Sequence, residues 1–246
     1  MLAFLLLLLG GIGAANAAVT TLYDPAQGTT PGAQAFLLYG NDAFLSGGTA
    51  TETLVSGVGT RLVTDNAVSA GYSNYFPIIN TLKNAGFPSL DRVGGFALEF
   101  DLQVNAESHV SNDRAGFSVI LLANDLLGIE LGFWMDRIWA QSGPGFTQAE
   151  GVAYDTTAGP VTYRLTVQNN GYTLAANGVE ILSDVLRDYS SFGTPYGLSR
   201  FVFLGDNTSS AGADVTLGAV VLTTDIPEPG TLGLLSLGGL LGLVVG

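Results

Sequence analysis

The sequence predicts an all-β fold, two antiparallel sheets packed face to face, with apolar helical segments at the two termini. Three observations predict it. Hydrophobic residues alternate with polar ones at period two over several stretches, the signature of strands with one face buried. Asn-Gly pairs punctuate those stretches where tight hairpins would turn. Glycine supplies 34 of the 246 residues, as a chain with many turns requires, and no stretch shows a convincing amphipathic helical period.

Taken in chain order, residues 2–9 form an apolar core of an export signal, residues 10–13 loosen it with glycines, and Ala15-Asn16-Ala17 is an A-x-A cleavage site. Cleavage after Ala17 would make residues 1–17 a signal peptide and Ala18 the mature start. The segment before residue 2 holds no Lys or Arg, so an upstream start is expected. Residues 40–75 are rich in Gly, Thr, Ser and Ala, with modest strands near 51–55 and 61–65. Residues 76–85 and 183–189 could each hold a turn or two of helix.

The clearest strand is residues 96–104, with Phe96, Leu98, Phe100, Leu102 and Val104 on one face and Glu99, Asp101 and Gln103 on the other. Residues 129–135 and 161–168 alternate in the same way. Residues 115–123 and 200–205 are more continuously apolar and suit interior strands. Asn169-Asn170-Gly171 and Asn177-Gly178 set off 161–168, 172–176 and 179–182 as a three-stranded meander. With 138–141, 201–206 and 213–222, these strands form one domain over residues 18–224. The predicted core includes Phe96, Leu98, Phe100, Phe117, Val119, Leu131, Phe133, Leu165, Val167, Phe201 and Phe203.

Composition excludes several functions. Without cysteine there is neither a disulfide nor a thiol nucleophile. Eight Lys and Arg against 21 Asp and Glu give a net charge of −13, and the basic residues are scattered, which argues against nucleic acid and against anionic lipid head groups. His109 is the single histidine, beside Asp113 in a polar stretch, and reads as a surface residue. No G-x-S-x-G elbow, H-E-x-x-H pair or Gly-rich phosphate loop is present.

Residues 225–246 end the chain with Pro227-Glu228-Pro229 and then an uncharged apolar run. Proline continues neither a helix nor a strand ladder, so the triplet separates the domain from the apolar run. This pattern resembles the PEP-CTERM sorting signal of bacterial surface proteins. The resemblance implies a membrane helix, processing by an exosortase-type transpeptidase, and an exported protein held at the cell envelope or released to the matrix after processing. Two features depart from the pattern. The run over 231–246 spans only about 24 Å as a helix against a hydrocarbon core of about 30 Å. The closing basic cluster is not in the sequence, and we expect it beyond Gly246. The alternative for the run is a buried helix or strand, which Gly233, Gly238, Gly239 and Gly242 disfavour in water. Such glycines are common in membrane helices.

The strand order over residues 90–224 is similar to that of concanavalin A-like and laminin-G-like jelly rolls. Laminarinase-like members of that superfamily carry E-x-D-x-(x)-E on one strand. Here Glu99 and Asp101 match its first half, and Leu102, Gln103 and Val104 stand where the third carboxylate would come. A retaining glycosidase needs two carboxyl groups about 5–5.5 Å apart. The half motif therefore leaves a glycoside hydrolase as the alternative to a non-catalytic protein. A flat aromatic beside hydrogen-bonding groups suits a sugar, so Glu130, Trp134, Asp136, Arg137 and Trp139 are the candidate glycan-binding residues, with exopolysaccharide the expected ligand. Against this, Trp134 could pack under a loop and Arg137 pair with Asp136. Asp206, Asn207 and Asp214 supply oxygens in and beside one loop, a candidate calcium site, although turn chemistry explains the same residues. No other cofactor is expected. A purely structural coat protein is the third reading.

Overall fold

The computed structural model describes residues 17–76, 78–143 and 145–226. The expected export signal with Ala15, the sorting triplet Pro227, Glu228 and Pro229, and the two apolar terminal segments lie outside the described residues, apart from Ala17. Among the described residues no helix is long and apolar enough to cross a membrane.

In chain order the strands are β1 (Ala18–Tyr23), β2 (Leu38–Asn41), β3 (Ala50–Val55), β4 (Gly59–Thr64), β5 (Ala70–Ser73), β6 (Tyr75–Phe76), β7 (Thr81–Leu82), β8 (Phe96–His109) and β9 (Ser118–Leu122). They continue with β10 (Leu127–Phe133), β11 (Arg137–Gln141), β12 (Gln148–Ala153), β13 (Val161–Gln168), β14 (Gly171–Ala176), β15 (Val179–Val185), β16 (Arg187–Asp188), β17 (Val202–Asp206) and β18 (Ala211–Thr224). A four-residue helix, α1 (Ala43–Ser46), comes after β2. The first sheet runs β15-β14-β13-β8-β18-β4-β3, with β1 also on β18. The second runs β12-β11-β10-β9-β17-β5-β2, with β16 on β10. Every pairing is antiparallel, and β6 and β7 form a separate small hairpin.

Alternation decides which face meets the other sheet. Phe96, Leu98, Phe100, Leu102 and Val104 are all buried in the core between the sheets, while Glu99, Asp101 and Gln103 are only partly covered. Phe100 stacks on Tyr163 at 5.5 Å between ring centres, and Phe133 meets Phe100 edge-on at 6.0 Å, so the two sheets interlock through aromatics. The meander forms as its turn residues demand. Asn169 and Asn177 sit at φ 54° and 49°, left-handed values that Asn tolerates.

Two expectations change. Residues 76–85 and 183–189 hold strand, not helix: β6 and β7 pair in the first, and β15 extends into the second, with β16 after it. Phe201 and Phe203 belong to the opposite face of the second sheet from the main core. There Tyr75, Ile120, Leu122, Tyr189, Tyr196 and Phe201 make a separate cluster, with Phe203 packed at its edge. Leu204 and Val202 point inward in their place.

Candidate functional site

The outer face of the second sheet is divided. Over β9 and β10 it is roofed by Tyr189 and Tyr196, which close the separate aromatic cluster. Over β17, β5 and β2 it is open, and there the described residues form a groove of about 480 Å³, within the range of about 300–1,000 Å³ typical of ligand sites.

The predicted aromatic site lies at the roofed end. Glu130 does face outward with Trp134, as the strand period requires, but it is 4% exposed. Its Oε2 accepts from Tyr196 Oη at 2.6 Å and its Oε1 from Asn207 Nδ2 at 2.8 Å. Burial pushes its pKa up, opposed by those two hydrogen bonds. Tyr189 Oη accepts from the Glu130 amide at 3.4 Å and donates to the Gln141 carbonyl at 2.7 Å, fastening the roof. Trp139 is 2% exposed, so it has no face free for a sugar. Trp134 is partly exposed, but its ring lies flat on His109, with centres 4.0 Å apart and planes 4° from parallel. Its Nε1 donates to the Arg114 carbonyl at 2.8 Å. His109 Nδ1 in turn meets the Glu107 carboxylate at 3.0 Å, so this histidine belongs to a packed corner. Asp136 is exposed beside an open depression with Met135, Tyr154 and Asp155, and Arg137 lies partly covered against Gly151.

The three candidate calcium residues turn to different partners. Asp206 Oδ2 accepts from Thr64 Oγ1 at 2.7 Å in the interior, and Asn207 bonds Glu130 and Tyr196. Asp214, on β18, pairs with Arg61 across the first sheet. Among the described residues no cluster of three or more acidic or histidine side chains gathers where a cation could be held. Glu99 and Asp101 lie on the outer face of the first sheet. Arg164 pairs with Glu99 at 3.4 Å, and Thr162 Oγ1 donates to Asp101 at 2.6 Å.

The open groove owes its shape to glycine. Gly40, Gly71 and Gly205 are register partners across β2, β5 and β17, so the floor has one row without side chains. The Phe203 ring leans over that row: a Cβ added at Gly71 would lie 2.7 Å from Phe203 Cζ, and one at Gly205 would lie 3.2 Å from it. At Gly40 an added Cβ would meet nothing within 4 Å. The next row is Phe203, Ser73 and Leu38, and beyond it lie Phe201 and Tyr75. The other end is polar, with Asn41, Asp42 and Asn207, while the Asp206 carboxyl beneath it turns into the interior. Asp42 Oδ1 accepts from the Ser69 amide at 2.8 Å, which fixes the loop that carries it. Sequence reasoning placed Phe203 in the core and did not single out Gly40 or Gly71. The register of the three glycines is set by non-local strand pairing, which no local pattern shows.

No family model and no curated protein matches the chain. Among solved structures, the chain is similar to a conserved carbohydrate esterase from the Shiga toxin-encoding bacteriophage phi24B. The two are 12% identical, with a TM-score of 0.53, over 84% of this chain and 99% of that one. A Bacillus subtilis protein of unknown function with a galectin-like fold aligns over 83% of this chain and 96% of its own, at 11% identity and a TM-score of 0.48. At such identity the likeness to the esterase shows a shared two-sheet sandwich fold.

Proposed function

We propose that this is an exported bacterial surface or matrix protein, held at the envelope through its PEP-CTERM-like end, whose sandwich binds exopolysaccharide without chemistry. The observation that carries the binding reading is the Phe203 ring lying over the glycine row at the floor of an open groove. A flat aromatic on a bare strand surface offers the apolar face of a sugar ring a platform, and Asn41 and Asp42 at its border offer hydrogen bonds. The reading moves the expected sugar contact from Trp134 to Phe203, because Trp134 already stacks on His109. Export rests on the A-x-A site and the terminal apolar runs, and the acidic surface suits a neutral glycan better than a nucleic acid or anionic membrane. An exosortase-type transpeptidase is the processing partner this reading calls for.

The test is affinity electrophoresis in gels cast with the host's own polysaccharide. The unmutated chain is expected to be retarded, and Phe203→Ala to run as in plain gel while keeping its circular dichroism spectrum. Retardation lost with Trp134→Ala but kept with Phe203→Ala would return the site to the packed corner. Equal mobility of the unmutated chain in both gels would favour a structural coat component. Release of reducing sugar would favour a glycoside hydrolase.

A further inference from the structure

We infer that the groove takes an amphipathic saccharide, a neutral hydroxylated head joined to an acyl or alkyl chain; this rests on the groove being the glycan site proposed above. The lining changes character along the strands. At one end the lining is polar: Asn41 is exposed on the edge strand β2, and Asp42 and Asn207 stand beyond it. From Phe203 to Phe201 and Tyr75 the floor is apolar apart from Ser73, whose hydroxyl donates to the Tyr75 carbonyl at 2.7 Å. Six residue steps separate Phe201 from Asn207, about 20 Å at about 3.3 Å per residue, room for a sugar ring and a chain in line.

The borders of the groove give the second observation. Phe44 is 98% exposed, Leu45 85% and Ile78 92%, and all three line the groove. A sugar ring needs one flat surface; large apolar side chains held in water on two borders, Phe44 and Leu45 on α1 and Ile78 after β6, are of the kind that marks a binding surface for an apolar group. The polar end fixes the head. Among the described residues no Lys or Arg lines the groove, while Asp42 does, and the whole chain carries −13. A carboxylate or phosphate head would meet no cation there. A hydroxylated head would donate to the Asp42 carboxylate.

The probe is octyl β-glucoside below its micellar concentration, set against glucose and octanoate, with binding to the full chain measured by calorimetry. The reference is Gly40→Leu, which shares the apolar termini and so subtracts any detergent they take up. Its new side chain enters open space and the position needs no left-handed backbone, so the fold is expected to survive. Octyl β-glucoside is expected to bind at least tenfold tighter than glucose, a gain abolished in Gly40→Leu and reduced in Phe44→Ser, whose exposed side chain supports no packing. Octanoate is expected not to compete. An octyl gain that persists in Gly40→Leu, or octanoate competing as well as the glucoside, overturns the inference. Polysaccharide retention that is lost in Gly40→Leu while the octyl chain adds nothing also overturns it, yet leaves the groove as a glycan site. If neither polysaccharide nor octyl β-glucoside binds, both readings fall.

Discussion

Asp206 ends β17 with its carboxyl fully buried, accepting from Thr64 Oγ1 at 2.7 Å and from the Thr208 amide at 3.0 Å. Burial lifts its pKa from the ordinary 3.8 to about 8, against the pull of those two bonds. Between the unfolded and folded values the folded chain holds the extra proton, so stability falls as pH rises. The contribution is complete below about pH 4 and lost as pH climbs through about 8. Glu130 and Glu107, both raised by burial, slope the same way. Asp206→Asn keeps the shape and removes the charge. It is expected to flatten, not abolish, the decline of the thermal midpoint across that window, and to raise the midpoint at pH 8. Melts followed by circular dichroism at several pH values check this, and parallel declines in the two proteins would refute it. At this same scale the sequence read Glu130 and Trp134 onto the outer face correctly, because strand parity is local. It could not show that Tyr196 and His109 cover them, since those partners come from 66 and 25 residues away along the chain.

Whether an element was legible depended on its length and on the faces it buries. β10 and β13 alternate over their whole length and β8 as far as Val104, so they were readable, though the extension of β8 to His109 was not, and Asn169 and Asn177 announced the hairpins. The strands β2 and β5, Leu-Tyr-Gly-Asn and Ala-Gly-Tyr-Ser, are four residues each with a glycine inside. So short a run has no period to detect, and glycine reads as a turn. Those are two of the three strands of the groove floor, so the site was hidden where the strands were hidden. Residues 200–205 read as a core strand because both of its faces are apolar, one toward the main core and one toward the outer cluster. Two substitutions test this arrangement. Phe100→Ala on β8 removes a ring packed against Phe133 and Tyr163 and is expected to cost roughly 3–5 kcal/mol. Gly71→Ala would set a methyl 2.7 Å from both the Leu204 carbonyl and the Phe203 ring. It is expected to cost about 1–3 kcal/mol as overpacking and to weaken glycan retention by displacing Phe203. Denaturant unfolding gives both numbers, and a Gly71→Ala protein as stable as the parent would place Phe203 elsewhere than over the glycine row.

For the whole molecule, the sandwich and the termini answer different questions. Packing of the two sheets explains how a chain without cysteine can hold together, with a core running from Leu22 to Leu222. Nothing in that packing says where the protein resides. In the proposed reading, location is set by residues at the ends: Ala15 and Ala17 before β1, and Pro227, Glu228 and Pro229 after β18. β1 starts at Ala18 and pairs with the last residues of β18, Ala18 opposite Thr224, so the first residue of β1 and the last of β18 lie side by side. The groove floor lies on the other sheet, with Asp206 joined to the start of β18 rather than to its end. An anchor leaving beside Thr224 would thus hold the domain by one end and leave the groove open to solvent. In cells carrying the complete gene, the protein is expected in the envelope or extracellular matrix, with Ala18 as its first residue by N-terminal sequencing. Replacing Pro227, Glu228 and Pro229 together with alanine is expected to abolish exosortase-type processing, while the same polysaccharide gel still retards the exported domain. An unprocessed cytosolic pool of the unmutated protein would defeat the export reading. A triple variant processed and retained like the parent would defeat the sorting reading while leaving the groove as proposed.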